Sequence, residues 1–170
     1  MAFSLCYTPA MTTKTNAMRA LEQRKIAYTA FTFSPDIHSA DGVAQALGLA
    51  ASLVYKTLVV VRPRGRAVLA IVPGDRELDL RLLARSLGEK TLDMASQRQA
   101  ESMTGLLVGG ISALALLNKG FDVVIDRSAL ALEEILVSAG QRGINLRLRV
   151  ADLMAVTGAR AVEAVGGISA

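Results

Sequence analysis

Two β-rich runs, Val54–Val61 and Arg66–Val72, are separated only by Arg62-Pro63-Arg64-Gly65, and no other feature constrains this chain as much. Runs this rich in β-branched residues, joined by so short a loop with Pro and Gly, form an antiparallel hairpin. A hairpin here breaks any regular strand-helix-strand rhythm. Helical periods nonetheless flank it. Ala17, Met18 and Leu21 share a face of a helix beginning near Thr15. Val43, Ala44 and Leu47 do so in Ser39–Leu47, closed by Gly48. Asp79 can cap a helix that runs through Leu87 and ends at Gly88, with Leu80, Leu83 and Leu87 inward. A shorter helix fits Ser96–Met103, and a last one Asp152–Val156.

Further strands are expected at Ile26–Phe33, Leu106–Val108, Asp122–Ile125, Glu134–Ser138 and Asn145–Val150, with a turn at Ala139–Gly143. Helices and strands interspersed in this way predict an α/β mixed (α+β) fold: a curved mixed β-sheet with helices packed around it. At 170 residues the chain is of one-domain size. The expected division is a loose extension over 1–13, a single domain over 14–165 and a frayed tail over 166–170. Gly-Gly-Ile-Ser occurs at Gly109–Ser112 and again at Gly166–Ser169, but the surroundings differ and no internal repeat follows.

Composition narrows the chemistry. One cysteine leaves no internal disulfide framework, and one histidine leaves no His-rich metal site. No metal and no cofactor are expected. No apolar run reaches the roughly 18 residues of a membrane span, and the first 14 residues lack the charge pattern of a signal peptide. A reducing, cytoplasmic setting is the simplest expectation. With no Trp and 4% aromatic residues, base stacking on an aromatic platform is not how such a chain would hold nucleic acid. The net charge of +4 permits an anionic partner without demanding one. Lys56, Arg62, Arg64 and Arg66 fall in a stretch with no acid, as do Arg142, Arg147 and Arg149. These stretches read either as phosphate-tracking surfaces or as solvated strand ends and turns.

Lys56 carries the sharpest signal. In a strand it shares a face with Val54, Leu58 and Val60, an apolar row. Its ammonium either snorkels to the strand end or lines a pocket that holds an anion. The glycines of Thr104–Ser112, and Gly140 and Gly143 bracketing Arg142, let a ligand approach the backbone, or simply make tight turns. Neither segment is a dinucleotide fingerprint or a P-loop. Candidates for a nucleophile are poor. Cys6 lies in the extension, His38 reads as a solvated loop residue, and a Ser112–Lys56 dyad has no spacing that brings its members together. Asp152 reads as a helix cap.

Val54–Val61 (VYKTLVVV), Thr104–Ser112 (TGLLVGGIS) and Ser138–Gly143 (SAGQRG) together resemble the YbaK family. That family includes bacterial Cys-tRNA(Pro) deacylases and is related to the editing domain of prolyl-tRNA synthetase. The resemblance runs from about Thr15 to about Val165. It implies a barrel-like mixed sheet and hydrolysis of mischarged aminoacyl-tRNA in trans, most simply Cys-tRNA(Pro) with the substrate thiol assisting cleavage. The alternatives are Ala-tRNA(Pro) deacylation and a non-catalytic tRNA- or nucleotide-binding module. By the same resemblance Lys56 is the essential lysine, and Gly109, Gly110, Ile111 and Ser112 form the substrate loop. Gly140, Arg142 and Gly143 form the turn at the pocket rim, and Asp152 is an aspartate near the site. Phe33 stands where some relatives have Tyr. Arg62, Arg64 and Arg66 are the candidate tRNA contacts, and aminoacyl-tRNA, with prolyl-tRNA synthetase as a further candidate, is the implied partner. The chain departs from the family pattern in having Ala113 after the Gly-Gly-Ile-Ser block, and Ala139 and Gln141 in the turn where the family commonly has Gly and Lys.

Overall fold

The computed structural model describes residues 13–166. Nearly all of the expected N-terminal extension, with Cys6, and all but Gly166 of the expected tail lie outside them. The first helix, α1 (Asn16–Gln23), starts where Thr15 Oγ1 accepts a hydrogen bond from the Met18 N–H. β1 (Thr29–Thr32) is shorter than the expected strand and follows Lys25, which holds a left-handed φ of 56°. α2 (Ala40–Leu47) is capped by Ser39 and ends at left-handed Gly48. The hairpin strands are β2 (Tyr55–Val61) and β3 (Val68–Pro73). α3 (Leu80–Leu87) is capped by Asp79, and Gly88 closes it. A two-residue strand, β4 (Asp93–Met94), was not expected; α4 (Gln97–Thr104) follows it, with a reciprocal capping box between Ser96 and Gln99. Then come β5 (Asp122–Asp126), β6 (Glu134–Ser138), β7 (Ile144–Arg149), α5 (Val150–Thr157) and a second unexpected strand, β8 (Arg160–Val162).

The mixed architecture is distributed over two sheets. One has five strands in the order β4-β2-β3-β5-β8, antiparallel across the hairpin and parallel from β3 to β8. The other has three antiparallel strands, β1-β7-β6. A single parallel bridge, Val54 to Leu136, ties them together. The main core lies where Leu69 and Ile71 of β3 and Val59 of β2 meet Ile135, Val137, Leu146 and Leu148, with Leu21 of α1. α3 covers the other face of the larger sheet, setting Leu83 and Ala84 against Val60, Val68, Ala70 and Val72. Every residue of β3 is therefore buried, as a strand covered on both faces requires. α2 seals a third cluster over Val54 and Leu136.

Two expectations need correction. Leu106–Val108 is not a strand. It is held between two left-handed glycines, Gly105 at φ 70° and Gly109 at φ 92°, and its polar backbone is satisfied locally. Leu106 N–H donates to Thr104 Oγ1, and Val108 N–H donates to the Glu101 carboxylate. Nor is Asp152 a helix cap. α5 begins at Val150, directly from the end of β7, so Asp152 lies within the first turn, where its charge complements the helix dipole.

Candidate functional site

A cavity of about 480 Å3 opens along the free part of one strand edge. β4 pairs only with Val60 and Val61, and the Ala95 N–H bonds the Val59 carbonyl. At the other end Val54 bridges Leu136. Between these points the outer edge of β2 has no strand partner among the described residues, and Tyr55, Lys56, Thr57 and Leu58 all line the cavity. The entry to α2 forms a second wall through His38, Ser39 and Asp41. Gly109 and Ile111 form a third, and Ser138 and Asn145 provide the floor from the smaller sheet. The volume is in the range of small-ligand sites.

Lys56 is partly exposed within this cavity, and among the described residues its ammonium has no ion pair or hydrogen bond. Asp41 and Glu77 also line the space, so it presents both signs of charge. Tyr55 lies along the same wall, but its hydroxyl is turned to Ser128 Oγ at 2.9 Å, and burial pushes the phenol above its ordinary range.

The glycine segments meet backbone to backbone. A Cβ on Gly110 would stand 2.9 Å from the Arg142 nitrogen, and one on Gly109 3.3 Å from His38 Cα. Arg142 Nε donates to the Val108 carbonyl at 2.7 Å, lashing the two loops together. The Phe33 N–H donates to the Gly143 carbonyl at 2.9 Å, which brings Phe33 to the same corner. Gly140 packs on Ala115, where an added Cβ would approach to 2.8 Å. Of the residues singled out in the sequence, Lys56, Gly109 and Ile111 line the cavity itself. Phe33, Gly110, Gly140, Arg142 and Gly143 shape the loops that border it. Ser112 is 1% exposed, does not line the cavity, and its Oγ faces the Ala115 N–H at 3.4 Å. Asp152 on α5 does not line the cavity either.

Arg62 departs from its expected role. The stretch around it is acid-free only along the chain. In the fold Arg62 pairs with Asp122 and lies 3.0 Å from Glu89, with its side chain 14% exposed. The Glu89 contact has ion-pair distance without hydrogen-bond alignment, which leaves the buried Nε–H without a bonded acceptor. We take it as charge attraction only, because a hydrogen bond needs the N–H directed at its acceptor. Arg64 and Arg66 remain exposed at the hairpin tip. Sequence reasoning passed over Thr57, Glu77, Ser138 and Asn145, and it read His38 as solvated. His38 is exposed, but it stands at the cavity mouth. Asn145 left no signal, because Asn145, Arg147 and Arg149 alternate with apolar residues as an ordinary solvent face would.

A family model of the aminoacyl-tRNA editing domain matches residues 34–156. The chain belongs to the aminoacyl-tRNA editing domain family. Within it, the chain is 37% identical over 152 residues to the "Putative Cys-tRNA(Pro)/Cys-tRNA(Cys) deacylase EbsC" of Enterococcus faecalis, covering 88% of this chain and 92% of that one. It is 32% identical over 124 residues to the proline–tRNA ligase of Pelobacter propionicus, of which it spans 21%. Among solved structures, a "putative trans-editing enzyme for prolyl tRNA synthetase" superposes with a TM-score of 0.77 at 26% identity, covering 92% of this chain and all of that one. A hypothetical protein at 22% identity shares the editing-domain fold with a TM-score of 0.82. Among the described residues no helix is long and apolar enough to cross a membrane.

Proposed function

We propose that this protein hydrolyses mischarged aminoacyl-tRNA in trans, with Cys-tRNA(Pro) as its first substrate. The observation that carries this reading is the unpaired Lys56 ammonium beside backbone-lined glycine loops, in a cavity of small-ligand size. Such a cavity suits the 3′ end of a charged tRNA. Lys56 would meet a phosphate or the charge that develops during cleavage, and the loops would fold the aminoacyl ester into a reactive shape. The cysteinyl thiol would then attack its own ester carbonyl carbon. The C–O bond to the terminal ribose breaks, the thiol proton passes to the departing ribose oxygen, and cysteine leaves as a thiolactone, whose C–S bond water then opens to give free cysteine. This reading is supported by the seclusion of Ser112, which is 1% exposed and outside the cavity lining and so poorly placed to act as a nucleophile with Lys56. It also fits the naming of the Enterococcus relative.

The test is loss of the ester from Cys-, Ala- and Ser-charged tRNA(Pro). Cys-tRNA(Pro) should be cleared much faster than the other two, and Lys56→Ala should slow its clearance about a hundredfold or more while leaving the circular dichroism spectrum unchanged. Equal rates on Cys- and Ala-tRNA(Pro) would sink the thiol-assisted route. Near-normal turnover by Lys56→Ala would remove the lysine from the mechanism.

A further inference from the structure

Asn145 offers the cavity a polar group that the fold does not use. It sits at the centre of the smaller sheet, on β7, opposite Phe31 of β1 on one side and Ser138 of β6 on the other. It is 5% exposed, it lines the cavity, and among the described residues its carboxamide makes no side-chain hydrogen bond. Its neighbour Ser138 accepts from the Gly140 N–H at 3.2 Å and, among the described residues, makes no hydrogen bond to Asn145. Val43 and Val54 line the same cavity, together with the charged Lys56, Asp41 and Glu77. Among the described residues Arg62 Nε is the buried side-chain nitrogen or oxygen without a partner, so the Asn145 carboxamide opens onto the cavity and is free to bond something that enters it.

The chemistry of the group indicates what that something is. A carboxamide offers one acceptor oxygen beside one NH2 donor. An α-amino ester offers the reverse, an ammonium donor beside a carbonyl acceptor on the next carbon. The two fit as a two-point pair. The Asp41 and Glu77 carboxylates in the same cavity favour entry of that ammonium. We infer that Asn145 is a positioning residue that reads the α-amino ester head common to every aminoacyl-tRNA, accepting from the ammonium and donating to the ester carbonyl. This rests on the deacylase reading and deepens it. The contact ignores the amino-acid side chain, so it sets the orientation of the ester and not the choice of amino acid.

Blocking the amine separates this role from a structural one. Wild-type protein, Asn145→Leu and Asn145→Asp are assayed on Cys-tRNA(Pro) and on its N-acetyl form. The wild type should have a KM at least tenfold higher for the acetylated substrate. Asn145→Leu should raise KM for the free-amine substrate severalfold, change kcat less and narrow the difference between the two forms to what Asp41 and Glu77 alone provide. Asn145→Asp, which keeps the acceptor, should retain the distinction. The melting temperature of Asn145→Leu should not fall, because no side-chain hydrogen bond among the described residues is lost. A wild type that cleaves both forms equally overturns the inference, as does Asn145→Leu with unchanged KM and unchanged preference. If Asn145→Leu fails to fold, the wild-type and Asn145→Asp comparisons decide. Titration of the wild type with a non-hydrolysable cysteinyl-adenosine amide and its N-acetyl form reads the same contact without turnover. A wild type that cleaves no charged tRNA but binds the free amine tenfold tighter keeps this inference and loses the proposed reaction.

Discussion

Arg62 shows how a single residue changes meaning when the chain folds. Its guanidinium lies between Asp122 on β5 and Glu89 beyond α3, so one cation ties the end of β2 to two other elements. Removing it would leave both carboxylates without this cation. Arg62→Ala should cost about 1–2 kcal/mol in urea unfolding, less than a fully buried pair because Asp122 is well exposed. Turnover at saturating substrate should change by less than about twofold. Arg64→Ala with Arg66→Ala is the complementary variant, since both side chains are exposed at the hairpin tip. It should leave stability unchanged, and any weakening of tRNA binding it brings should grow smaller as salt is added.

The loops around the cavity are elements without regular structure, yet their positions are narrowly set. Gly110 has no room for a side chain, because the atoms a Cβ would meet are the backbone nitrogen of Arg142 at 2.9 Å and the carbonyl carbon of Gln141 at 3.0 Å. Backbone cannot swing aside as a flexible side chain can. Gly110→Ala should therefore push the two glycine loops apart, cost about 1–3 kcal/mol of stability and lower kcat/KM by about tenfold or more. Gly158→Ala is the matched control. Gly158 is left-handed at φ 69°, but nothing lies near its absent Cβ. That change should cost about 1 kcal/mol and leave turnover intact. Measuring both activity and unfolding on the pair separates loop displacement from simple backbone strain.

At the scale of the whole molecule, two buried or partly buried phenols set an alkaline limit. Burial and the neighbouring Glu22 carboxylate push Tyr28 up to about 12, and burial raises Tyr55 despite its Ser128 partner. A group that titrates higher folded than unfolded adds stability that is complete below its unfolded range and is lost as pH climbs through its folded value. For Tyr28 the window opens near the ordinary phenol value of 10.0 and closes near 12, and Tyr55 acts in the same direction. The urea midpoint should fall across that window, and Tyr28→Phe should flatten part of the fall while leaving the neutral-pH slope unchanged. Phenolate absorbance recorded alongside unfolding checks the assignment. An unchanged alkaline profile in Tyr28→Phe would place the sensitivity elsewhere.

The sequence by itself determined what is encoded within a few neighbouring residues. Thr15, Ser39, Asp79 and Ser96 stop or start helices through contacts two or three positions away, and Gly48 and Gly88 end them by their own backbone freedom. The hairpin was equally plain, because alternation and the Pro-Arg-Gly loop are local. The three blocks that carry the family resemblance also mark the borders of the cavity. The tertiary structure decided everything that depends on partners far along the chain. Asp122, 60 residues from Arg62, turns an apparently free cation into a brace. Two glycines and two side-chain bonds hold Leu106–Val108 out of a sheet although its residues suit one. β4 is too short to cover β2, so an open strand edge becomes a cavity wall. Asn145 occupies a position whose pattern says solvent, and the packing of α2 over the smaller sheet places it on the cavity floor. Local codes act through bonds a turn apart. Which face is covered, and by what, is settled only when distant segments compete for the same surface.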